Sequence, residues 1–342
     1  MIDSQVIGTG PYQVASLEEN SAIELVKNEY YWDGEVPYDS ITVYLTEDSS
    51  TKAMALKSGD VDLVENITTP SDLAELEADS DYYVSATAGV RLGNSYFNFH
   101  GVLGNDALRQ AILCAVDDET MCNVTVGGMY TPGCSVLPSS LSYGYEQLTD
   151  SYSYDLERAV QILDEAGITD TDGDGYRELD GQNIHLNYLA YSSRNLDEFA
   201  QAVAISLEAI GIGCAVTVQD YDTALANQSA GSFDLITSNA IVVPTGDPSG
   251  FLGNFYSGNS GTYGYYENEE YDALYERLLA SVDEQERLEL IIEMQQLLID
   301  DAATLVHGYY NSTFASRADK VAGADITPMD YYWITTDIRP AE

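Results

Sequence analysis

The stretch from Phe233 to Phe255, FDLITSNAIVVPTGDPSGFLGNF, carries an apolar strand straight into a loop built from Pro, Thr, Gly and Asp. Phe233, Leu235 and Ile236 read as a buried strand, while Pro244, Gly246 and Pro248 forbid any regular continuation. The loop must therefore leave the sheet at the strand's carboxyl end. In an open α/β sheet ligands settle at that edge, because the diverging connections leave a crevice there. Pro244, Thr245 and Asp247 are accordingly candidates for the wall and polar contacts of a binding cleft.

Outward from this loop, residues 185–237 alternate short β-rich runs with helical ones: HLNYLAY, RNLDEFAQAVAISLEAIG, CAVTVQD, YDTALANQSAG and FDLITS. Helices between such runs imply parallel strands joined by right-handed crossovers. Downstream, residues 269–281 and 283–300 read as amphipathic helices, the second with Leu288, Ile291, Ile292, Gln295 and Leu298 at helical spacing. TLVHGYYNSTFAS then reads as a strand and YYWITTDI as a terminal one. Upstream, the chain opens on a hairpin and a third strand through Ile41, Val43 and Leu45, followed by a short helix capped by Ser49 or Ser50 and ended by Gly59. Residues 82–88 and 91–99 read as two strands, and Asn105 or Asp106 caps the helix after them.

At 342 residues the chain exceeds what one core usually serves, so two lobes are expected. Fifty-seven acidic residues against 13 basic ones give a formal net charge of -44. A surface so negative repels phosphate backbones and anionic headgroups, which argues against nucleic-acid binding and electrostatic membrane docking. No apolar run is long enough to span a membrane. Cys114, Cys122, Cys134 and Cys214 lack metal-type CxxC spacing and read as buried or incidental thiols, with one disulfide or a metal site as alternatives.

GTGPYQV, KNEYYWDGEVPYDSITVYL and TKAMALKSGDVDLVENI, followed by YFNF with LRQAILCAVDDETM, YDLERAVQILDEAGITDTDGDGYRE, the GDPSGFL loop and YYENEEYDALYERL, form an ordered series. The series resembles the extracytoplasmic solute-binding proteins of the oligopeptide, dipeptide and nickel ABC importers, family 5, over nearly the whole chain. The resemblance implies an α/β, bilobal, type II periplasmic-binding-protein-like fold. It also implies that an amino-terminal portion is absent, leaving residues 1–93 as a partial first lobe, 94–306 as the second lobe and 307–342 as return strands to the first. Function in the parent would be capture of a small solute outside the membrane and delivery to ABC permease subunits. The parent would be periplasmic or a membrane-anchored lipoprotein.

Binders of this kind close over a ligand by hinge motion, and the segments crossing between lobes line the cleft. Placing those crossings at residues 94–100 and 306–311 adds Tyr96, Asn98, His100, His307 and Tyr309 to the candidate ligand contacts. Two histidines at opposite crossings suit a metal chelate, although each could simply hydrogen-bond at a strand end. The resemblance implies an amine-gripping Asp in peptide binders where this chain has Val243 or Pro244, and PTGDPSGFL looks more like the nickel-type members. Nickel or a nickel chelate is therefore the first expectation for the transported ligand. An oligopeptide or dipeptide is the alternative, and a surface interaction module without transport is the second. No nucleophile elbow, phosphate-binding loop, HExxH or dinucleotide fingerprint occurs, so the chain reads as a binder requiring no cofactor and not as an enzyme. One cation site is suggested: Asp170, Asp172 and Asp174 match the first half of an EF-hand calcium loop, with Tyr176 and Glu178 as further ligands, while Gly181 stands where a bidentate Glu belongs.

Overall fold

The computed structural model describes residues 8–46, 48–259, 263–329 and 334–342. In chain order it contains β1 (Tyr12–Glu18), β2 (Ala22–Lys27), β3 (Ser40–Tyr44), α1 (Ser49–Ser58), β4 (Leu63–Glu65), α2 (Pro70–Glu77) and β5 (Tyr82–Phe97). Next come α3 (Asp106–Ala115), α4 (Asp118–Thr120), β6 (Tyr130–Thr131), α5 (Leu156–Glu165), β7 (Glu178–Leu179), β8 (Gln182–Asn183), β9 (His185–Tyr191), α6 (Leu196–Ala209) and β10 (Gly213–Gln219). The chain finishes with α7 (Tyr221–Ser229), β11 (Leu235–Ile241), α8 (Ser249–Leu252), α9 (Glu269–Ala280), α10 (Glu284–Asp300), β12 (Thr304–Arg317), β13 (Val321–Ala322) and β14 (Arg339–Pro340). It divides into two compact units: the described residues up to Thr87 with those from Asn311 onward, and Ala88–Tyr310.

In the first unit, β1, β2 and β3 form an antiparallel meander, and β4 pairs with the last part of β12. Helix α1 is capped by Asp48, whose carboxylate accepts from the Thr51 amide at 2.7 Å, and not by Ser49 or Ser50. Ser49 instead points its hydroxyl at the Thr68 and Thr69 amides. Gly59 ends the helix at a φ of 79°, a left-handed turn that glycine enters without steric cost. Phe314, Val321, Ala324 and Ile326 form a small core against Leu63 and Ile338. Of the expected strand YYWITTDI, residues 331–333 lie outside the described set and the remainder is turn and coil; the terminal strand is β14, paired with β13.

The second unit holds the larger sheet, with strands in the order β10, β9, β11, β5, β12, and β6 also on β12. β10 and β9 run parallel over seven residue pairs, and β11 continues parallel to β9. The crossovers α6 and α7 explain this directionality. β5 is one continuous strand, not two. Gly89 breaks the side-chain pattern, but it keeps an ordinary negative φ and so does not interrupt the strand. Asn105 caps α3, with its side chain accepting from the Leu108 amide. In α10 the buried face is Leu290, Ile291, Met294, Gln295, Leu298 and Ile299, one step round from the stripe read in the sequence. All four cysteines are free thiols, Cys114 and Cys122 buried, Cys134 and Cys214 half-buried.

The centre of this unit is polar as well as apolar. His307 on β12 is fully buried and stacks on Phe199 of α6, with ring centroids 4.8 Å apart. Its Nε2 lies 2.8 Å from Ser95 Oγ, which in turn meets the Tyr188 hydroxyl at 2.6 Å. Enclosure pushes the His307 pKa down to about 3, against roughly 6.5 for a free imidazole. As pH falls through about 6.5 the unfolded chain takes up a proton that the folded protein refuses, so stability declines until about pH 3, by on the order of 5 kcal/mol at most. Replacing His307→Gln should flatten the stability profile between about pH 6.5 and pH 4 relative to the parent in urea unfolding. An identical slope in both proteins would mean that the ring is not held neutral.

Candidate functional site

The carboxyl ends of β9 and β11 lie together, and because β5 runs antiparallel to β11 its early residues meet that same edge: Arg91 pairs with Ile241 and Gly93 with Asn239. Five side chains converge there. Arg91 is buried and donates from Nη1 to Asn239 Oδ1 at 3.2 Å. Asn239 Nδ2 donates to the Tyr130 hydroxyl at 3.1 Å, and the Tyr191 hydroxyl accepts from the Asn239 amide at 3.1 Å. Tyr130 donates to the Arg194 carbonyl at 2.8 Å, and the Arg194 guanidinium lies 5.5 Å from the centre of the Tyr310 ring.

Local sequence explains this convergence. Tyr130 lies across the sheet because residue 93 is glycine: a Cβ there would come within 2.7 Å of the Tyr130 ring. Phe199 and Tyr310 then hold that ring edge-on, with centroids at 4.9 and 5.2 Å. Arg194 and Asn195, joining β9 to α6, both adopt left-handed backbone at φ 49° and 60°. Burial pushes the Tyr191 hydroxyl up to about 12, although the Asn239 amide and both arginines oppose the shift. The hydroxyl thus remains a neutral donor and acceptor. Two guanidinium groups, the Tyr191 phenol and a carboxamide at the carboxyl ends of two strands have the chemistry for a ligand bearing a carboxylate or similar anion and peptide-like amides, while the buried Tyr130, bonded to both Arg194 and Asn239, holds them in place.

The loop after β11 is pinned rather than loose. Asp247 accepts from the Ser249 amide at 2.9 Å and pairs with Arg287 at 2.5 Å, and Tyr143 donates to the Gly246 carbonyl at 2.8 Å. Burial alone would raise the Asp247 pKa; Ser249 and Arg287 outweigh it and hold the carboxyl below its usual range. Pro244 and Thr245 are exposed.

The other expected contacts lie elsewhere. Asn98 follows β5 at the opposite edge of the sheet, donating to the Gly231 and Phe233 carbonyls and accepting from the His100 amide. His100 stacks on Tyr265, with centroids 4.1 Å apart. The length of β11, roughly 20 Å at 3.3–3.4 Å per residue, separates these two from Pro244, Thr245 and Asp247. Tyr96 and Tyr309 are fully buried; Tyr96 packs against Phe255, and Tyr309 donates to the Ser135 carbonyl at 2.8 Å. Arg91, Tyr130, Tyr191, Arg194 and Asn239 were not singled out by sequence. The signal available was their position at the two strand ends, which only the pairing of β5 with β11 reveals.

Away from this edge, Asp170, Asp172 and Asp174 each offer an oxygen within 4.8 Å of the others, close enough to share a metal ion. Backbone amides of Gly173 and Gly175 hold Asp170 in place and lower its pKa. Glu178 accepts from both the amide and the hydroxyl of Thr171. Among the described residues no helix is long and apolar enough to cross a membrane.

The chain is 27% identical to heme-binding protein A of Haemophilus influenzae over 98% of its own length and 61% of that protein. It is 21% identical to the dipeptide-binding protein of Escherichia coli over 96% of its length and 60% of that protein. It thus spans about three fifths of the length of these relatives. Among solved structures, NikA from Brucella suis in complex with Fe(III)-EDTA superposes with a TM-score of 0.87 at 23% identity, covering 97% of this chain and 68% of that one. CtaP from Listeria monocytogenes superposes with a TM-score of 0.84 at 23% identity, covering 99% and 68%. These likenesses establish the α/β, bilobal, type II periplasmic-binding-protein-like fold. The family model for the middle region of the bacterial extracellular solute-binding proteins, family 5, matches residues 2–263, and the chain belongs to that family.

Proposed function

We propose that the protein is the solute-binding component of an ABC importer, capturing a small extracellular ligand and presenting it to permease subunits. The observation that carries this reading is the convergence of Arg91, Arg194, Tyr130, Tyr191 and Asn239 at the carboxyl ends of β9 and β11. A peptide, with a carboxylate for an arginine and amides for Asn239 and Tyr191, fits this set better than a bare metal ion does. The order of expectations drawn from sequence is therefore reversed, with peptide ahead of nickel or a nickel chelate. His307, one of the two histidines behind the nickel expectation, is enclosed in the core beside Ser95 and Tyr188. The likeness to a dipeptide-binding protein supports the peptide reading, and the likeness to NikA keeps an anionic metal chelate as the second candidate. The Asp170 loop is proposed as a structural calcium site outside the transport cleft, with the Tyr176 carbonyl and Glu178 completing the ligand set.

Native mass spectrometry of the protein from its own host, followed by calorimetric titration with a dipeptide mixture and with Ni(II)-histidine, tests the ligand class. Peptide should co-purify and give heat, and Asn239→Ala should weaken it at least tenfold, about 1.4 kcal/mol. Heat with Ni(II)-histidine alone would overturn the peptide reading. Binding of neither, with capture of a cell-wall polymer, would favour a surface interaction module. In thermal unfolding Thr245→Ala should leave the melting temperature unchanged, whereas Asp247→Ala should cost about 1 kcal/mol, since its partly exposed pair with Arg287 also fastens the loop. Millimolar calcium should raise the melting temperature of the parent and not of Asp170→Asn; equal responses would remove the calcium site.

A further inference from the structure

The larger sheet ends on β10, and among the described residues no strand pairs with its outer side. Every second residue of such a strand turns its N–H and C=O away from its one neighbour, and those groups stand open to a further strand. Edges of this kind are ordinarily blunted by shortness, charge, proline or a bulge. β4, which also ends a row of strands, is three residues long and closes on Glu65. β10 has none of these devices. It reads GCAVTVQ, seven residues without a charge or a proline, and it runs beside β9 in unbroken register from Gly213 opposite His185 to Gln219 opposite Tyr191. Ala215, Thr217 and Val218 are exposed along it.

The surroundings of this edge carry one sign of charge. From Asn195 to Glu276 the chain contains no Lys or Arg. Glu208 precedes β10, and Asp220 and Asp222 follow it, all three exposed. Glu208 lies near enough that its charge, after burial, helps to raise the Cys214 thiol. Asp220 stays ionised, because the hydroxyl and amide of Thr223 donate to it and lower its pKa. Arg177, which reaches the Ile210 carbonyl ahead of β10, is paired with Asp164 at 2.7 Å. The edge is thus acidic at both ends and neutral between them. That pattern selects the occupant. A second copy of β10 laid along the first, in either direction, sets acid against acid, and like charges facing across strands are destabilising. A strand with a cation at each end meets opposite charge at both.

We propose that β10 is a docking edge for an extended segment of a partner protein, one with Lys or Arg at its ends and β-branched residues between them, which joins the sheet as a further strand. Main-chain hydrogen bonds supply the attachment, and the flanking acids choose the partner. None of Arg91, Tyr130, Tyr191, Arg194 and Asn239 lies on β10. Docking at this edge and capture of the transported solute therefore use different residues.

The test is calorimetric titration of the purified protein at about 0.15 M salt, where diffuse attraction to the acidic surface is screened beyond about 8 Å. The probe is the peptide Lys-Thr-Val-Thr-Val-Thr-Lys with acetyl and amide ends, which has no carboxylate to offer the strand-end arginines, and hydrogen exchange of the same mixture locates it. It should bind saturably, at least tenfold tighter than the equally charged Lys-Gly-Ser-Gly-Ser-Gly-Lys and tenfold tighter than Glu-Thr-Val-Thr-Val-Thr-Glu, and residues 213–219 should exchange more slowly in its presence. Ala215→Lys with Thr217→Lys should weaken the peptide at least tenfold and leave binding of the dipeptide mixture unchanged. Equal binding of the two Lys-ended peptides would reduce the effect to charge and overturn the proposal. So would binding without slower exchange at residues 213–219, binding unchanged by the double variant, or no saturable binding. A concentration-dependent dimer of the parent in sedimentation, dispersed by the same double variant, would put a second copy on the edge and likewise overturn it. Should the double variant fail to fold, the exchange pattern of the parent with and without peptide decides.

Discussion

The seating of β11 between a parallel neighbour and an antiparallel one is the constraint from which the site follows. β9 reaches the crevice edge at its carboxyl end, as a crossover strand must, and delivers Tyr191. β5 runs the other way, so its beginning and not its end supplies Arg91 and Gly93 at the same edge. Side chains alternate between faces along a strand, so slipping β5 by one residue would carry Arg91 to the other face and put Leu92 opposite Ile241. The bond from Arg91 to Asn239 and the bare surface at Gly93 under Tyr130 both depend on that register.

A second constraint is the scarcity of cations. With 13 basic residues against 57 acidic ones, a guanidinium held inside the protein is withheld from a surface that could use it. Arg109 is buried, lies 4.2 Å from the Phe99 ring centre and donates to the carbonyls of Leu103, Asp301 and Ala302. That ties the start of α3 to the end of α10. Arg177 does the same between the Ile168 and Ile210 carbonyls. These arginines act by satisfying carbonyls at helix ends, where a lone pair without a partner costs more than an exposed ion pair gains. Arg91 and Arg194 sit with phenols and a carboxamide at the carboxyl ends of β9 and β11.

Much of the fold was legible in the sequence because its signals are local. Gly59, Asn105 and Asp283 end or begin helices through their own backbone or side chain, and the alternation of β-rich and helical runs from His185 onward requires the parallel strands that are found. The site was legible only in part. Asn98 was noticed for its type and position, but the sequence could not show that its amide clips the Gly231 and Phe233 carbonyls at the far edge. Arg91 sits in a run that reads as an ordinary strand, and Tyr130 in a loop rich in tyrosine. What unites them is one antiparallel register between residues 148 positions apart, and no local pattern encodes that.

The backbone at the site adds a further step. Arg194 and Asn195 both occupy left-handed backbone, although neither is glycine, and they do so immediately before α6 begins. Each such residue costs roughly 1 kcal/mol or more, and an ordinary αR entry into the helix would avoid the expense. The scaffold holds the strained turn through Tyr130, whose hydroxyl takes the Arg194 carbonyl while its ring is locked between Phe199 and Tyr310. Tyr130 in turn can lie there only because Gly93 leaves the sheet bare beneath it. Strain at one turn, a locked ring and a missing Cβ thus act as one device, and its outcome is to fix the Arg194 backbone next to Arg91 and Asn239.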